Sequence, residues 1–393
     1  MAEIYRRPTA KQRLRDVLLS AAARIPVRAA GGGSQRLLIV RPDHLGDVLL
    51  CTPTIEALKR SSPCTSIHAL CGDWSAPVLA NYPGIDHVLT IPFPGFQRGD
   101  RPAKSPWQLA METARLLRTI GYGAAIIMRP DHWWGALVTY LAGIRRRVGY
   151  DVGNVAPFLT EVYQLKAEHT VEQNMRLVES WTGEISRCDI QLRFPVQAAD
   201  HDFLERKLRE WRLPQQQALI CIHPGSGRDS KIWRGDKWAS AADAIATQYQ
   251  AAIIFTGTAA EIPLINDIVD SMKVDAAIVA GATTVGQLAA LYERSTAVLG
   301  PDSGAMHLAA AVRAPTVALF GPADPGEFAP WGDPRRHAVV TSNIGCRPCR
   351  ILDWGDDDSI HHPCVADISV EQVLEATRRV LSSETGAEDA PTT

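Results

Sequence analysis

Three short segments hold the residues best placed to do chemistry. The first, Arg41-Pro-Asp-His-Leu-Gly-Asp47, follows the apolar run Leu37–Val40. Gly46 allows a tight turn, and Asp47 falls at the start of the helix expected next. A carboxylate there serves either as a general base or as a cap on free backbone N–H groups. Position alone does not choose between them. The second segment is His223-Pro-Gly-Ser-Gly-Arg-Asp-Ser-Lys-Ile-Trp233. Pro224, Gly225, Ser226 and Gly227 open a loop whose N–H groups can approach an anion, while Arg228 and Lys231 supply positive charge. The same glycines also suit a plain strand-to-helix turn. The third is Gly300-Pro-Asp-Ser-Gly-Ala-Met-His307. A helix beginning near Ser303 aims free N–H groups and a positive dipole end at whatever lies before it. Pro301 and Gly304 keep bulk away, and the Ser303 hydroxyl adds a donor. Asp302 accepts from ligand hydroxyls or caps the helix. His307 lies one turn further along the same face, as a ligand group or a buried core histidine. Two anion-friendly helix starts in one domain suit a diphosphate.

These segments need strands to deliver them. Short apolar runs at Leu37–Val40, Ser66–Leu70, His87–Ile91 and Ala124–Met128 alternate with helical stretches, including Val48–Lys59 and Trp107–Ile120. The pattern restarts at Ala218–His223 and continues through Ala251–Thr256, Ala276–Ala280, Ala297–Gly300 and Thr316–Phe320. Helices are expected at Lys237–Gln248, Ile262–Met272, Val285–Tyr292 and Ser303–Val312. Alternation of this kind implies βαβ units and parallel sheets. The expected fold class is α/β, with two Rossmann-like, doubly wound domains facing a central cleft and ligands at the carboxyl ends of the strands. No G-x-G-x-x-G follows the first strand and no G-K-[ST] ends the second loop, which disfavours a dinucleotide-dependent dehydrogenase and a P-loop NTPase.

Composition agrees with a globular protein of this kind. The 393 residues are 46 % hydrophobic and 21 % charged, and a net charge of −2 argues against a nucleic-acid coat. No apolar run reaches the ~18 residues of a spanning helix. The near-neutral total hides eight Lys/Arg against two acids over residues 1–36. That segment reads as a solvated, partly helical tail, with an anionic membrane surface as the alternative. Gly31–Ser34 reads as a hinge. The eight cysteines are scattered and read as reduced, apart from a C-terminal trio.

The chain resembles glycosyltransferase family 9, the ADP-heptose:lipopolysaccharide heptosyltransferases. The likeness rests on Leu38-Ile-Val-Arg-Pro-Asp-His-Leu-Gly-Asp-Val48, on Thr52–Leu58, on His223–Trp233, and on Gly300–His307 followed by Ala318–Pro325. It spans about residues 37 to 380. The resemblance implies a GT-B architecture and inversion at the anomeric carbon with no required metal. Carried over by motif, Asp47 is the general base. Lys231 and the helix start Ser303–Gly304–Ala305 stabilise the departing diphosphate. Gly225, Ser226, Asp302 and His307 hold phosphate and sugar, and Glu261 matches the ribose-binding acid, although it also suits an exposed helix start. His44 and Trp133 are the acceptor-side candidates, with buried packing the alternative for Trp133. The implied layout is a basic tail (1–36), an acceptor-binding domain (37–165), an interdomain connection (166–210), a nucleotide-sugar-binding domain (211–382) with a Cys-containing loop (346–364), and a disordered tail (383–393).

Cys346-Arg-Pro-Cys349 and Cys364, with His361 and His362 just upstream of the last, form a candidate structural zinc or iron site; the alternative is a loop of reduced thiols. Arg145–Arg147 either meets an anionic acceptor or faces solvent. The expected partners are a nucleotide-sugar donor, ADP-heptose first, and a lipid-linked oligosaccharide acceptor, with peripheral membrane contact and no nucleic acid. The expected location is the cytoplasm, at the inner face of the membrane. Alternatives are a same-family transferase with another nucleotide sugar or with a protein or small-molecule acceptor, and a non-catalytic nucleotide-sugar-binding module.

Overall fold

The computed structural model describes residues 9–30, 35–97, 104–211, 213, 217–352 and 362–385. The chain divides into two compact units, Met1–Ile190 and Gln191–Thr393. The division falls inside the stretch read as a connection. The hinge at 31–34, His361 and most of the 383–393 tail lie outside the described residues.

Unit 1 is built on a parallel sheet of β1 (Arg36–Arg41), β2 (Ser66–Cys71), β3 (His87–Thr90), β4 (Ala124–Ile127), β5 (Arg146–Tyr150) and β6 (Glu161–Tyr163). The order is β3-β2-β1-β4-β5-β6, so the chain winds outward from β1, returns, and winds out again from β4. Leu37, Leu38, Ile39 and Val40 are all buried, as in a parallel strand covered on both faces. The helices are α1 (Ala10–Ala22), α2 (Leu45–Leu49), α3 (Thr52–Ser61), α4 (Pro106–Ile120), α5 (Trp133–Leu141), α6 (Thr170–Arg176) and α7 (Glu179–Thr182).

Three expectations change here. The single helix over Val48–Lys59 is two, broken at Leu50–Cys51. Pro53 has no N–H to give the Leu49 carbonyl, and the Thr52 hydroxyl donates to it instead at 2.8 Å. Arg146 and Arg147 are not a solvated charge run. Arg146 pairs with Glu161 and stacks 3.5 Å over Trp181, and Arg147 Nε donates to the Phe158 carbonyl. Within the basic N-terminal segment Ala10–Ala22 is helical, but one side of that helix is docked. Leu19 enters the unit 1 core, Tyr140 donates to the Ala23 carbonyl, and Arg118 donates to that of Arg28.

Unit 2 repeats the winding with β7 (Leu219–Ile222), β8 (Ala252–Phe255), β9 (Ala276–Ile278), β10 (Ala297–Pro301), β11 (Thr316–Phe320) and β12 (His337–Thr341), ordered β12-β11-β10-β7-β8-β9. Its helices are α8 (Ala198–Glu210), α9 (Gly235–Tyr249), α10 (Ile262–Asp270), α11 (Val285–Arg294), α12 (Gly304–Ala311), α13 (Pro325–Phe328), α14 (Pro363–Ala366) and α15 (Val370–Thr385). Trp233 anchors the loop that leaves β7. Its ring is fully buried edge-on against Trp238 at 4.8 Å, and its indole N–H donates to the Ile368 carbonyl.

Trp233→Ala should therefore destabilise unit 2 by ~3–5 kcal/mol, the usual cost of emptying a large aromatic site. Urea unfolding would show a lower midpoint; an unshifted midpoint contradicts the anchoring role.

Candidate functional site

In a doubly wound sheet, the loops leaving the two strands at the order reversal run to opposite faces and leave a crevice at their carboxyl ends. In unit 1 those strands are β1 and β4, paired in parallel from Leu37↔Ala124 to Val40↔Ile127. Both run into the same tetrapeptide, Arg-Pro-Asp-His, at 41–44 and 129–132, the first copy beginning on the last residue of β1. The two copies interlock. Buried Arg41 meets Asp43 at 2.7 Å, Asp47 at 3.2 Å and the Met128 carbonyl at 3.1 Å. Arg129 binds Asp43 from the other side and grips both oxygens of Asp131. An alternating chain results: Asp47, Arg41, Asp43, Arg129, Asp131. Burial alone would raise the Asp43 pKa, but Arg129 and Arg41 hold it well below the usual carboxylate range.

Asp47 is not the helix cap that its position allowed. His44 occupies the cap position of α2, with no side-chain capping bond, and Asp47 follows in the first turn. Its side chain is 34 % exposed, with one oxygen on Arg41. His44 is half-buried, its ring 6.0 Å from that of Trp74, whose indole donates to the Asp43 carbonyl. Trp133 turns its ring toward Trp107 and Arg15, at 6.1 and 5.5 Å, while its backbone N–H donates to the Asp131 carbonyl at 2.9 Å.

In unit 2 the reversal lies between β7 and β10, paired from Ala297↔Ile220 to Leu299↔Ile222. The loops after them carry the second and third segments. Lys231 Nζ meets Asp302 Oδ2 at 2.6 Å with both side chains largely buried, and the Ser226 hydroxyl reaches the Asp302 carbonyl at 3.4 Å. Ser303 caps α12 by position without a side-chain bond, and its buried hydroxyl has no partner among the described residues. Gly304 opens α12, where Met306 N–H turns back to the Ser303 carbonyl at 3.2 Å and the N–H groups before it lack intrahelical partners by geometry. His307 is buried one turn further in. Glu261 caps its own turn, accepting from Thr258 N at 2.6 Å and Thr258 Oγ1 at 2.9 Å. It also lies over Gly225, where a Cβ would require its carboxylate to move. Beneath it, His223 pairs with Thr256, and Thr256 with Tyr292, at 3.1 and 2.8 Å. Burial lowers the His223 pKa, and the Glu261 charge opposes that.

Of the residues read as a candidate metal site, Cys346, Cys349, His362 and Cys364 are described and His361 is not. No group of three potential ligands assembles among the described residues. Cys364 is buried beneath Gly321, with its sulfur 3.1 Å from His362 Nδ1, whereas Cys346 faces solvent. Burial, and then the neighbouring Cys349 and Cys346, push the Cys364 thiol up to about 11.

Sequence reasoning missed Arg41, Asp43, Arg129, Asp131 and His132 as one assembly. The signal was present: an identical tetrapeptide ending two apolar strands that the doubly wound order makes neighbours.

The chain matches the model for glycosyltransferase family 9 (heptosyltransferase) over residues 111–352. It is 24 % identical to lipooligosaccharide heptosyltransferase 2 of Haemophilus influenzae over 88 % of this chain and 99 % of that one. Among solved structures, a glycosyl transferase family 9 protein from Veillonella parvula superposes with a TM-score of 0.73 at 23 % identity, over 88 % and 97 % of the two chains. The ADP-heptose LPS heptosyltransferase II of Escherichia coli gives 0.68 at 20 % identity, over 89 % and 99 %. The fold is therefore GT-B.

His132 yields a prediction about acid stability. Both ring nitrogens are buried without a partner among the described residues, and burial lowers its pKa to about 3, with Asp43 and Asp131 opposing and Arg129 and Arg41 adding to the shift. Below the ordinary histidine pKa the unfolded chain binds a proton that the folded one refuses. Stability therefore falls as pH drops from about 6.5 toward 3, at up to about 1.4 kcal/mol per pH unit. His132→Phe should flatten the melting-temperature profile across that window relative to the wild type. Parallel profiles would refute the assignment.

Proposed function

The chain belongs to glycosyltransferase family 9 and is a glycosyltransferase; we propose that it moves a heptose from ADP-heptose to a lipopolysaccharide core or related lipid-linked acceptor, with inversion. The observation that carries this reading is the edge between β7 and β10. There a seated ammonium, Lys231, and an unspent buried hydroxyl, Ser303, share the start of α12. Diphosphate is the group that such a start would hold. The names of the relatives support the heptose, the adenine nucleotide and the lipopolysaccharide.

In this reading unit 2 takes the donor and unit 1 the acceptor. Asp47 accepts the proton of the attacking hydroxyl while the bond from the anomeric carbon to the diphosphate breaks. Arg41 fixes the orientation of that carboxylate and leaves its second oxygen for the substrate. Negative charge grows on the leaving diphosphate. Lys231, held in place by Asp302, meets it with little reorganisation, as do Ser303 and the N–H groups of Gly304 and Ala305. The backbone of Gly225 and Ser226 comes close to the nucleotide, and Glu261 accepts from the ribose hydroxyls. His307 supports a phosphate oxygen from within α12. His44, beside Trp74, faces the acceptor.

Asp47→Asn should lower transfer by about 10²–10⁴-fold, the usual worth of a positioned base, with ADP-heptose affinity unchanged by calorimetry. Retained turnover would remove Asp47 from the role. Lys231→Ala should weaken donor binding and cut kcat by about 10²–10³-fold, as expected for loss of charge stabilisation in the transition state. Unchanged constants would contradict that role. Nucleotide release assayed with ADP-, UDP- and GDP-sugars tests the donor, and turnover with UDP-sugars alone would overturn ADP-heptose.

A further inference from the structure

α1 is seated on unit 1 by one face and displays the other. Leu19 is buried in the core, and the segment after the helix is tied down by the bonds Ala23–Tyr140, Arg28–Arg118 and Ala30–Gly143. The outward face carries Leu14, Val17 and Leu18, exposed by 61 %, 66 % and 62 %, and Ile25 continues beyond the helix at 64 %. The spacing i, i+3, i+4 makes them one stripe. An amphipathic helix on a soluble protein normally turns that stripe inward, so this one is presented to something outside the unit. Exposed Arg13, Arg24 and Arg28 border it, and residues 1–30 hold seven Lys/Arg against two acids. Trp107 of α4, 59 % exposed, stands next to it through Trp133, on whose ring Arg15 lies.

We propose that the outward face of α1 is a docking surface for an anionic lipid bilayer, with the apolar stripe entering the acyl boundary and the arginines meeting acidic headgroups. Charge decides the occupant. A second copy of the chain packed on this face by a two-fold axis would set arginine rows against one another, whereas a negatively charged, apolar-backed surface satisfies both components at once. An indole at the margin suits the headgroup layer. The helix is therefore a fixed contact plate and not a flexible leash. The proposal deepens the reading of a lipid-linked acceptor, because a seated plate holds unit 1 at the surface where that acceptor lies.

The test uses the full-length protein and vesicles of phosphatidylcholine, with and without phosphatidylglycerol. Wild type should co-sediment with the phosphatidylglycerol vesicles at least tenfold better than with phosphatidylcholine alone, and less well at high salt. Leu14→Ser/Val17→Ser/Leu18→Ser and Arg13→Gln/Arg24→Gln/Arg28→Gln should each lose that binding, and Val17→Asp alone should weaken it. All of these changes leave Leu19 in place, so melting temperatures should hold, and nucleotide release with detergent-solubilised acceptor should equal wild type. Equal vesicle binding by wild type and the folded variants would overturn the proposal. So would absence of wild-type binding, the result expected if an acidic protein is the partner, or equal affinity for both vesicle types. If no donor turns over but vesicle binding behaves as stated, the proposed transfer fails and the docking surface stands.

Discussion

A parallel sheet can grow in only one direction at a time, and each sheet here reverses that direction once. At the reversal, adjacent loops part to opposite faces and the carboxyl ends of two strands are left open. Asp47, Lys231, Asp302 and Ser303 all come from the loops and helix starts bordering these two openings. The remainder of each unit holds the strands in register. Fully buried aliphatic runs leave no freedom for a strand to slip by one residue, since a slip would carry each side chain to the other face. Side chains such as Trp233 then fix the loops to that frame.

The two openings use charge differently. In unit 1 the cations are spent: Arg41 and Arg129 are shared among Asp43, Asp47 and Asp131, so the edge is rigid and slightly acidic. A buried network of this kind is tolerable because its charges are paired, and losing one member would strand another. In unit 2 a single ion pair is set beside a hydroxyl and a helix start that keep hydrogen-bonding capacity in reserve. The acidic edge suits taking up a proton, and the donor-rich edge suits holding an anion.

Much of this was legible from residue order. Leu37–Val40 and Thr316–Phe320 are apolar throughout and fall where strands form. The glycine-rich loops and the start of α12 were recognisable because backbone approach and helix ends have narrow residue requirements. β5 was not legible, because Arg146 and Arg147 satisfy their charges on Glu161, Trp181 and the Phe158 carbonyl, partners distant in sequence. The break after α2 turns on one missing N–H at Pro53, which a twelve-residue periodicity overrides. The Cys trio was visible as spacing alone, and residue order did not show that Cys364 is buried while Cys346 is exposed. Asp47 stood out by position, whereas the link from Arg41 and Asp43 to Arg129 required knowing that β4 lies beside β1.

The reversal also bears on how the chain acquires function during folding. Lys231 and Asp302 are 71 residues apart in sequence, and Leu37 pairs with Ala124 across a comparable span. Strands β7, β8 and β9 can pair with their sequential neighbours before β10 exists, but the edge that joins Lys231 to Asp302 is absent until β10 closes the long loop alongside β7. That closure is costly in chain entropy and is slow relative to local pairing. A nascent chain emptied of its last strands would thus hold half of a sheet and none of that edge, which arrives late and all at once.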